Sequence, residues 1–175
     1  MATMPELIPQ LETPRLLLRE FRASDLDAYA AMCADAEVMR HIGAGGPVDR
    51  ANAWRQVAIF NGQWSLEGCG MWAAERKADG VLVGRVGLLN PPDWPALELG
   101  WLLGREFWGQ GLAREGSAAA LRWTLDTLKP KRLISLIRPG NDRSVRLAEA
   151  LGARRDGEHM LAGQPAWVYA YAVST

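Results

Sequence analysis

The segment Trp108-Gly109-Gln110-Gly111-Leu112-Ala113 has the residue types needed to hold a phosphorylated ligand. It stands where an apolar run, 96–103, gives way to a long helical pattern, 108–128. Glycine has no Cβ, so a ligand can approach the main chain closely. The free N–H groups of a first helical turn, with the helix dipole, favour phosphate oxygens. The segment is a pyrophosphate cradle or a glycine turn that lets the helix pack on a sheet, and its letters alone do not choose. Two better-known phosphate motifs fail. Gly104 and Gly109 have the glycine spacing of a Walker loop, but Gln110 and Gly111 stand where lysine and a hydroxyl residue are required. Gly109 and Gly111 fit a dinucleotide fingerprint, but Arg114 occupies its third small position.

Glu98 is a carboxylate inside the apolar run Leu97-Glu98-Leu99-Gly100-Trp101. On a strand, Glu98 and Gly100 point away from Leu97, Leu99 and Trp101. Taken alone, the run favours a surface carboxylate. Ser144 shares a helical face with Leu147, Ala148 and Leu151. A serine there meets a polar partner or bonds back to the Asn141 carbonyl in the first turn. Asn141 itself reads as an N-cap.

These residues need elements to position them. Strand patterns cover 16–18, 71–76, 81–89, 96–103, 132–137, 153–158 and 167–173. Lys77-Ala78-Asp79-Gly80 is a hairpin turn between the second and third. Ser24 and Asp27 start a helix to about Ala34, and Asp49 caps a second helix with Ala53, Val57 and Phe60 on one face. In the long helix, Leu112, Gly116, Ala119, Ala120 and Trp123 share a face, and Lys129-Pro130 ends it. A last helix runs from Asn141 to Leu151, stopped by Gly152. This order predicts a mixed sheet covered by helices in one domain, 1–175, behind a loose arm, 1–10.

Composition narrows the chemistry. The chain has 175 residues, 49% of them apolar, enough for a sizeable core. Twenty basic residues balance twenty acidic ones, which argues against a nucleic-acid partner. Cys33 and Cys69 lack metal or disulfide spacing, and His41 and His159 are isolated, so no metal is expected. No leader or membrane-spanning pattern is visible, and a cytoplasmic setting is expected. Cys33 reads as core, and Cys69 near a strand start has no histidine close in sequence to activate it. His41 reads as a surface residue, with lining of an acceptor pocket as its alternative. Trp54, Trp64 and Trp94 lie in segments that would border such a pocket.

The chain resembles the GNAT acetyltransferase superfamily and, within it, the RimJ/RimL-like branch. The likeness rests on Thr13-Pro14-Arg15-Leu16, Leu97-Glu98-Leu99-Gly100-Trp101, Phe107 to Ala113, Asn141-Asp142-Arg143-Ser144 and Glu149-Ala150-Leu151-Gly152, in that order. Trp108 stands where the superfamily's general pattern has Gln or Arg. The resemblance implies an α+β fold with a mixed, mostly antiparallel twisted sheet of about seven strands. Helices would lie on both faces, with a splay between the fourth and fifth strands. Acetyl-CoA would be the acyl donor. Its pantetheine arm would pair with Trp101, Leu102 and Leu103, and its pyrophosphate would meet Trp108, Gly109, Gln110, Gly111, Leu112, Ala113 and Arg114, with Asn141 and Ser144 alongside. The acceptor would be a primary amine, on a small molecule or a protein N-terminus. An amine must lose a proton before attack, and a thiolate leaves more readily with a donor nearby. The resemblance makes Glu98 that base and Ser144 that donor. It implies no metal, nucleic acid or membrane, and a monomer or homodimer. A non-catalytic acyl-CoA binding or sensing module on the same fold is the alternative.

Overall fold

A computed structural model describes residues 8–173. Its strands are β1 (Leu11–Glu12), β2 (Leu16–Arg19), β3 (Met71–Arg76), β4 (Val81–Leu89), β5 (Leu97–Leu103), β6 (Leu133–Ile137), β7 (Arg154–Leu161) and β8 (Gln164–Ala170). Its helices are α1 (Leu26–Ala34), α2 (Ala36–Met39), α3 (Arg50–Glu67), α4 (Leu112–Trp123) and α5 (Asp142–Ala150). The eight strands form one sheet in the order β1-β2-β3-β4-β5-β6-β8-β7, one strand more than expected because Leu11–Glu12 pairs with β2. Every neighbouring pair is antiparallel except β5 and β6. Within the expected arm, residues 1–7 lie outside the described residues, and the Pro9 carbonyl accepts a 2.7 Å hydrogen bond from the Trp72 indole.

Local chemistry explains where the helices begin and end. Asp49 accepts from the Asn52 amide at 2.8 Å, and Gly68 closes α3 in the left-handed region at φ 68°. Helix α4 starts at Leu112, four residues later than the pattern suggested. Gly109 and Gly111, at φ 72° and 77°, make a turn of the residues before it. Residues 124–128, expected as its last turn, widen into a π-helical turn that ends at left-handed Lys129. Helix α2 was not anticipated; it is one turn, capped by Asp35.

Helices cover both faces. On one face the Arg85 guanidinium of β4 donates to the Tyr29 hydroxyl of α1 at 3.0 Å and lies over the Phe60 ring of α3. On the other, α4 presses Gly116 against Leu16, Leu18 and Val86, where a Cβ would stand 3.3 Å from two side chains. At one end of the sheet Trp64, Trp72 and Trp123 meet edge to face, with centroids 4.8 to 5.6 Å apart. Trp64 is therefore core rather than a pocket wall, and Trp54 is 58% exposed. Cys33 and Cys69 are buried, and burial pushes both thiols up.

Candidate functional site

The site begins where two strands part. β5 and β6 pair only at Leu97 with Leu133 and Glu98 with Ile134. Beyond that point β5 continues against β4 as far as Leu103, and β6 runs against β8. Each strand is satisfied on its outer edge, and the twist carries them apart. The facing edge of Gly100–Leu103 is left without a strand partner. At the fork the Ser135 hydroxyl donates to the Leu99 carbonyl at 2.5 Å and meets the Tyr171 hydroxyl at 2.9 Å. This is the expected splay, with its two strands numbered one higher because of β1.

Two cavities open from the gap. The larger, about 690 Å³, runs along Trp101, Leu102 and Leu103, past Trp108, Gly109, Gly111, Leu112, Ala113 and Arg114, to Asn141 and Ser144. All but one of the predicted cofactor-binding residues thus share one wall. Gln110 is the exception: its side chain folds back onto the Glu106 carbonyl at 2.9 Å. The α4 hydrogen-bond ladder opens with the Glu115 amide on the Gly111 carbonyl at 3.0 Å. The amides of Leu112, Ala113 and Arg114 therefore have no helical acceptor. A Cβ at Gly109 would meet nothing within 4 Å, and one at Gly111 only the Arg15 guanidinium, at 3.4 Å. Bare backbone, free amides and arginines nearby fit a pyrophosphate.

The opening motif Thr13-Pro14-Arg15 anchors this loop. Thr13 Oγ1 and the Arg15 amide both donate to one Glu115 carboxylate oxygen, at 2.6 and 2.8 Å, and Arg15 Nε donates to the other at 2.7 Å. Arg15 Nη1 then reaches the Gln110 carbonyl at 2.8 Å. The strand start, the loop and α4 are tied together through one carboxylate.

The second cavity, about 390 Å³, lies across the gap on the α1–α3 face. Glu98 lines it and is 8% exposed, which excludes a solvent-facing carboxylate. Gly100 shares this face, since a Cβ there would stand 3.9 Å from Glu98 Oε1. The Trp94 indole N–H donates to Glu98 Oε2, and the Leu136 amide to Oε1 at 3.4 Å. Burial pushes the Glu98 carboxyl above the usual carboxylate range, against these two bonds and the Arg85 charge. Trp94 thus borders the cavity, as its segment suggested.

Trp101, Asn141 and Ser144 line both cavities, as does His41, which is not the plain surface residue it resembled in sequence. The Trp101 indole donates to Ser144 Oγ at 3.1 Å, and Asn141 Oδ1 accepts from the Ser144 amide at 3.4 Å. The Ser144 hydroxyl therefore keeps its own proton to donate, and Asn141 is an N-cap. Arg85, Ser135 and Arg138 also line the second cavity and were missed in the sequence. The signal for Arg85 was present: it is the one charge within the apolar run of β4.

A mixed sheet parted between parallel strands, with a glycine-rich helix start on one bank, is an acetyltransferase arrangement. The profile of the Acetyltransferase (GNAT) domain matches residues 15–154, and the chain belongs to that family. An acetyltransferase structure from Agrobacterium tumefaciens str. C58 superposes with a TM-score of 0.86 at 30% identity, covering 98% of this chain and 99% of that one. The Bacillus licheniformis protein named uncharacterized N-acetyltransferase p20 is 27% identical over 150 residues, 84% of this chain and 83% of that protein. The Bacillus subtilis protein YkkB is 32% identical over 87 residues, 49% of this chain and 51% of that protein. Among the described residues no helix is long and apolar enough to cross a membrane, and no three or more His, Cys, Asp or Glu side chains are grouped as metal ligands.

Proposed function

We propose that this chain is an N-acetyltransferase that moves the acetyl group of acetyl-CoA onto a primary amine by direct attack. The observation that carries the reading is the meeting of two cavities at Trp101, Asn141 and Ser144, one flanked by free helix-start amides and the other by a buried carboxylate. The RimJ/RimL-like placement rests on the Thr13-Pro14-Arg15 clamp and the Phe107–Ala113 motif.

The donor side would use the amides of Gly109 and Leu112–Arg114 for the pyrophosphate and the free β5 edge at Trp101–Leu103 for the pantetheine arm. Glu98 would take the proton of the attacking amine. Its raised pKa suits this work, because a carboxylate of ordinary basicity is a poor base for an amine. As the new C–N bond forms and the C–S bond breaks, the Ser144 hydroxyl would give its proton to the departing thiolate and recover one from solvent.

Acetyl-CoA at a hundred times its Kd is expected to raise the melting temperature by about 5–10 °C, from roughly 2.7 kcal/mol of linkage. Absence of any shift would remove the donor assignment. Gly111→Val is expected to abolish the shift. A β-branched residue is strained at φ 77°, and its methyls would stand in the cradle. Gly111→Asn tolerates that backbone, so its remaining loss of binding reports the side chain in the cradle alone.

Ser144→Ala is expected to slow turnover by about one to two decades, at the low end for general acid–base assistance. Its melting temperature should fall by no more than about 4 °C, because Asn141 caps the Ser144 backbone amide, which alanine keeps, and the Trp101 N–H alone loses its acceptor, at about 1 kcal/mol. Ser144→Cys, a weak donor, should fall between. A destabilised but fully active alanine variant would make Ser144 structural. A thiol-release assay over peptides, polyamines, aminoglycosides and amino acids tests the transfer itself.

A further inference from the structure

The second cavity has a charge pattern that acetyl transfer does not require. Across the β4–β5 ladder, Leu89 pairs with Glu98, Gly87 with Gly100 and Arg85 with Leu102. All six lie on the same face, so Glu98 and Arg85 stand at opposite ends of a floor whose middle row is two glycines. At about 3.4 Å per residue their rows are roughly 13 Å apart, and the arginine arm spans part of that distance.

Arg85 is 7% exposed. Nε is used by Tyr29 and Nη1 touches Met71 Sδ at 3.6 Å. Nη2 has no hydrogen-bond partner among the described residues, and Arg85 is one of the residues that line the second cavity. No carboxylate bonds this guanidinium among the described residues. A buried cation is ordinarily paired.

The same cavity is lined by a second such cation. Arg138 is 7% exposed and, among the described residues, donates to main-chain carbonyls alone: Gln164 at 2.8 Å, Pro165 at 3.2 Å, Gly43 at 2.5 Å and Leu161 at 2.8 Å. These bonds hold the β7–β8 turn and the 43 loop against the cavity. Two unpaired guanidiniums therefore stand against one carboxylate, Glu98. Phe60, Leu89 and Trp94 supply apolar wall between and around them.

We infer that the acceptor is a small amine that also carries a carboxylate, an amino acid with an apolar side chain being the simplest case. The amine is directed to Glu98, and the carboxylate is bound by the Arg85 guanidinium. This rests on the transfer reading above and adds the acceptor class to it. Polyamines and aminoglycosides are disfavoured, since each further ammonium would meet the like charges of Arg85 and Arg138. The length of chain between amine and carboxylate then sets which members of the class fit.

Thiol release with the full chain and saturating acetyl-CoA tests this on matched acceptors: methionine, phenylalanine and longer amino-carboxylates, each beside its carboxamide, with spermidine and an N-terminal peptide amide. At least one acid is expected to exceed its carboxamide by about ten-fold or more in kcat/KM, chiefly through KM, as for a charge-assisted hydrogen bond. Arg85→Met should bring that ratio close to one, and Arg85→Lys should keep part of it. If Arg85→Met does not fold, the wild-type acid-to-carboxamide ratio and Arg85→Lys decide. Equal rates on acids and carboxamides, or a preference for spermidine or the peptide, would overturn carboxylate recognition while leaving acetyl transfer standing. No thiol release with any acceptor, in a protein that acetyl-CoA still stabilises, would overturn the transfer reading and this inference together.

Discussion

Glu98→Gln is expected to lower turnover by about 10²–10⁴-fold at neutral pH, the usual contribution of a general base, while acetyl-CoA still stabilises the protein. The sign of the pH effect follows from burial. The wild-type carboxyl is held above the usual carboxylate range, and only its ionised form accepts a proton. The wild-type rate should therefore rise with pH through that raised pKa. The glutamine variant lacks this limb and should instead climb only as more of the amine is already deprotonated at high pH. Stability moves the other way. A carboxyl with a raised folded-state pKa binds its proton more tightly folded than unfolded. It favours the fold most below the unfolded pKa, and that advantage is lost as pH rises through the folded one. Glutamine removes this pH-dependent cost but can accept from only one of the Trp94 and Leu136 N–H groups with its single oxygen. These effects oppose each other, so the melting temperature at neutral pH should change little. An unchanged rate across pH in a folded variant would leave Glu98 with no part in proton transfer. A variant that shows no loss because the wild type has no turnover would point to the sensing module instead.

Gly84→Ala is expected to destabilise the fold severely. An added Cβ would lie 2.0 Å from the Leu102 carbonyl oxygen and 2.7 Å from Leu103 Cα. Both obstacles are backbone, so no side-chain rotation relieves the overlap, and φ 157° is itself a conformation alanine avoids. Gly84 sits where the β3–β4 register shifts between Ala74 and Glu75, and on its other side it pairs with Leu103 of β5. Accommodating the methyl would mean separating β5 from β4 at the residues that form the free edge of the gap. The cost should exceed about 4–5 kcal/mol, in the range of the severest single substitutions, and the melting temperature should fall by more than about 10 °C. Gly68→Ala is the comparison. That Cβ would meet nothing within 4 Å at φ 68°, so only the left-handed backbone is penalised, at about 1–2 kcal/mol. Equal stabilities for the two variants would show that the β4–β5 approach is looser than drawn.

The features legible in the sequence are those whose causes lie within a few residues. Asp49 and Asn141 cap the helices they precede. A side-chain cap acts on amides one turn away, so its cause is local. The alternation around Glu98 correctly put it on the face opposite Leu97, Leu99 and Trp101, since strand geometry alone decides that. The motifs also carried the family and the strands flanking the splay.

What the sequence could not decide depends on contacts between distant segments. The run around Glu98, taken without the family likeness, favours a surface carboxylate, whereas Trp94 and the Leu136 amide meet it in a cavity that Phe60 of α3 also lines. Burial is a property of the packed layers, not of the strand. Trp54 and Trp64 lie ten residues apart on one helix with the same side chain, yet one is exposed and the other is core, because only Trp64 meets Trp72 and Trp123. Local pattern put the helix start at 108 because it cannot register that Arg15, almost a hundred residues earlier, ties the Gln110 carbonyl in a turn. The pairing of Arg85 with an open cavity rather than an acid, and its place across two glycines from Glu98, exist only in the register of β4 on β5. Register is set by long-range hydrogen bonds and burial, and it decides which charges the second cavity holds.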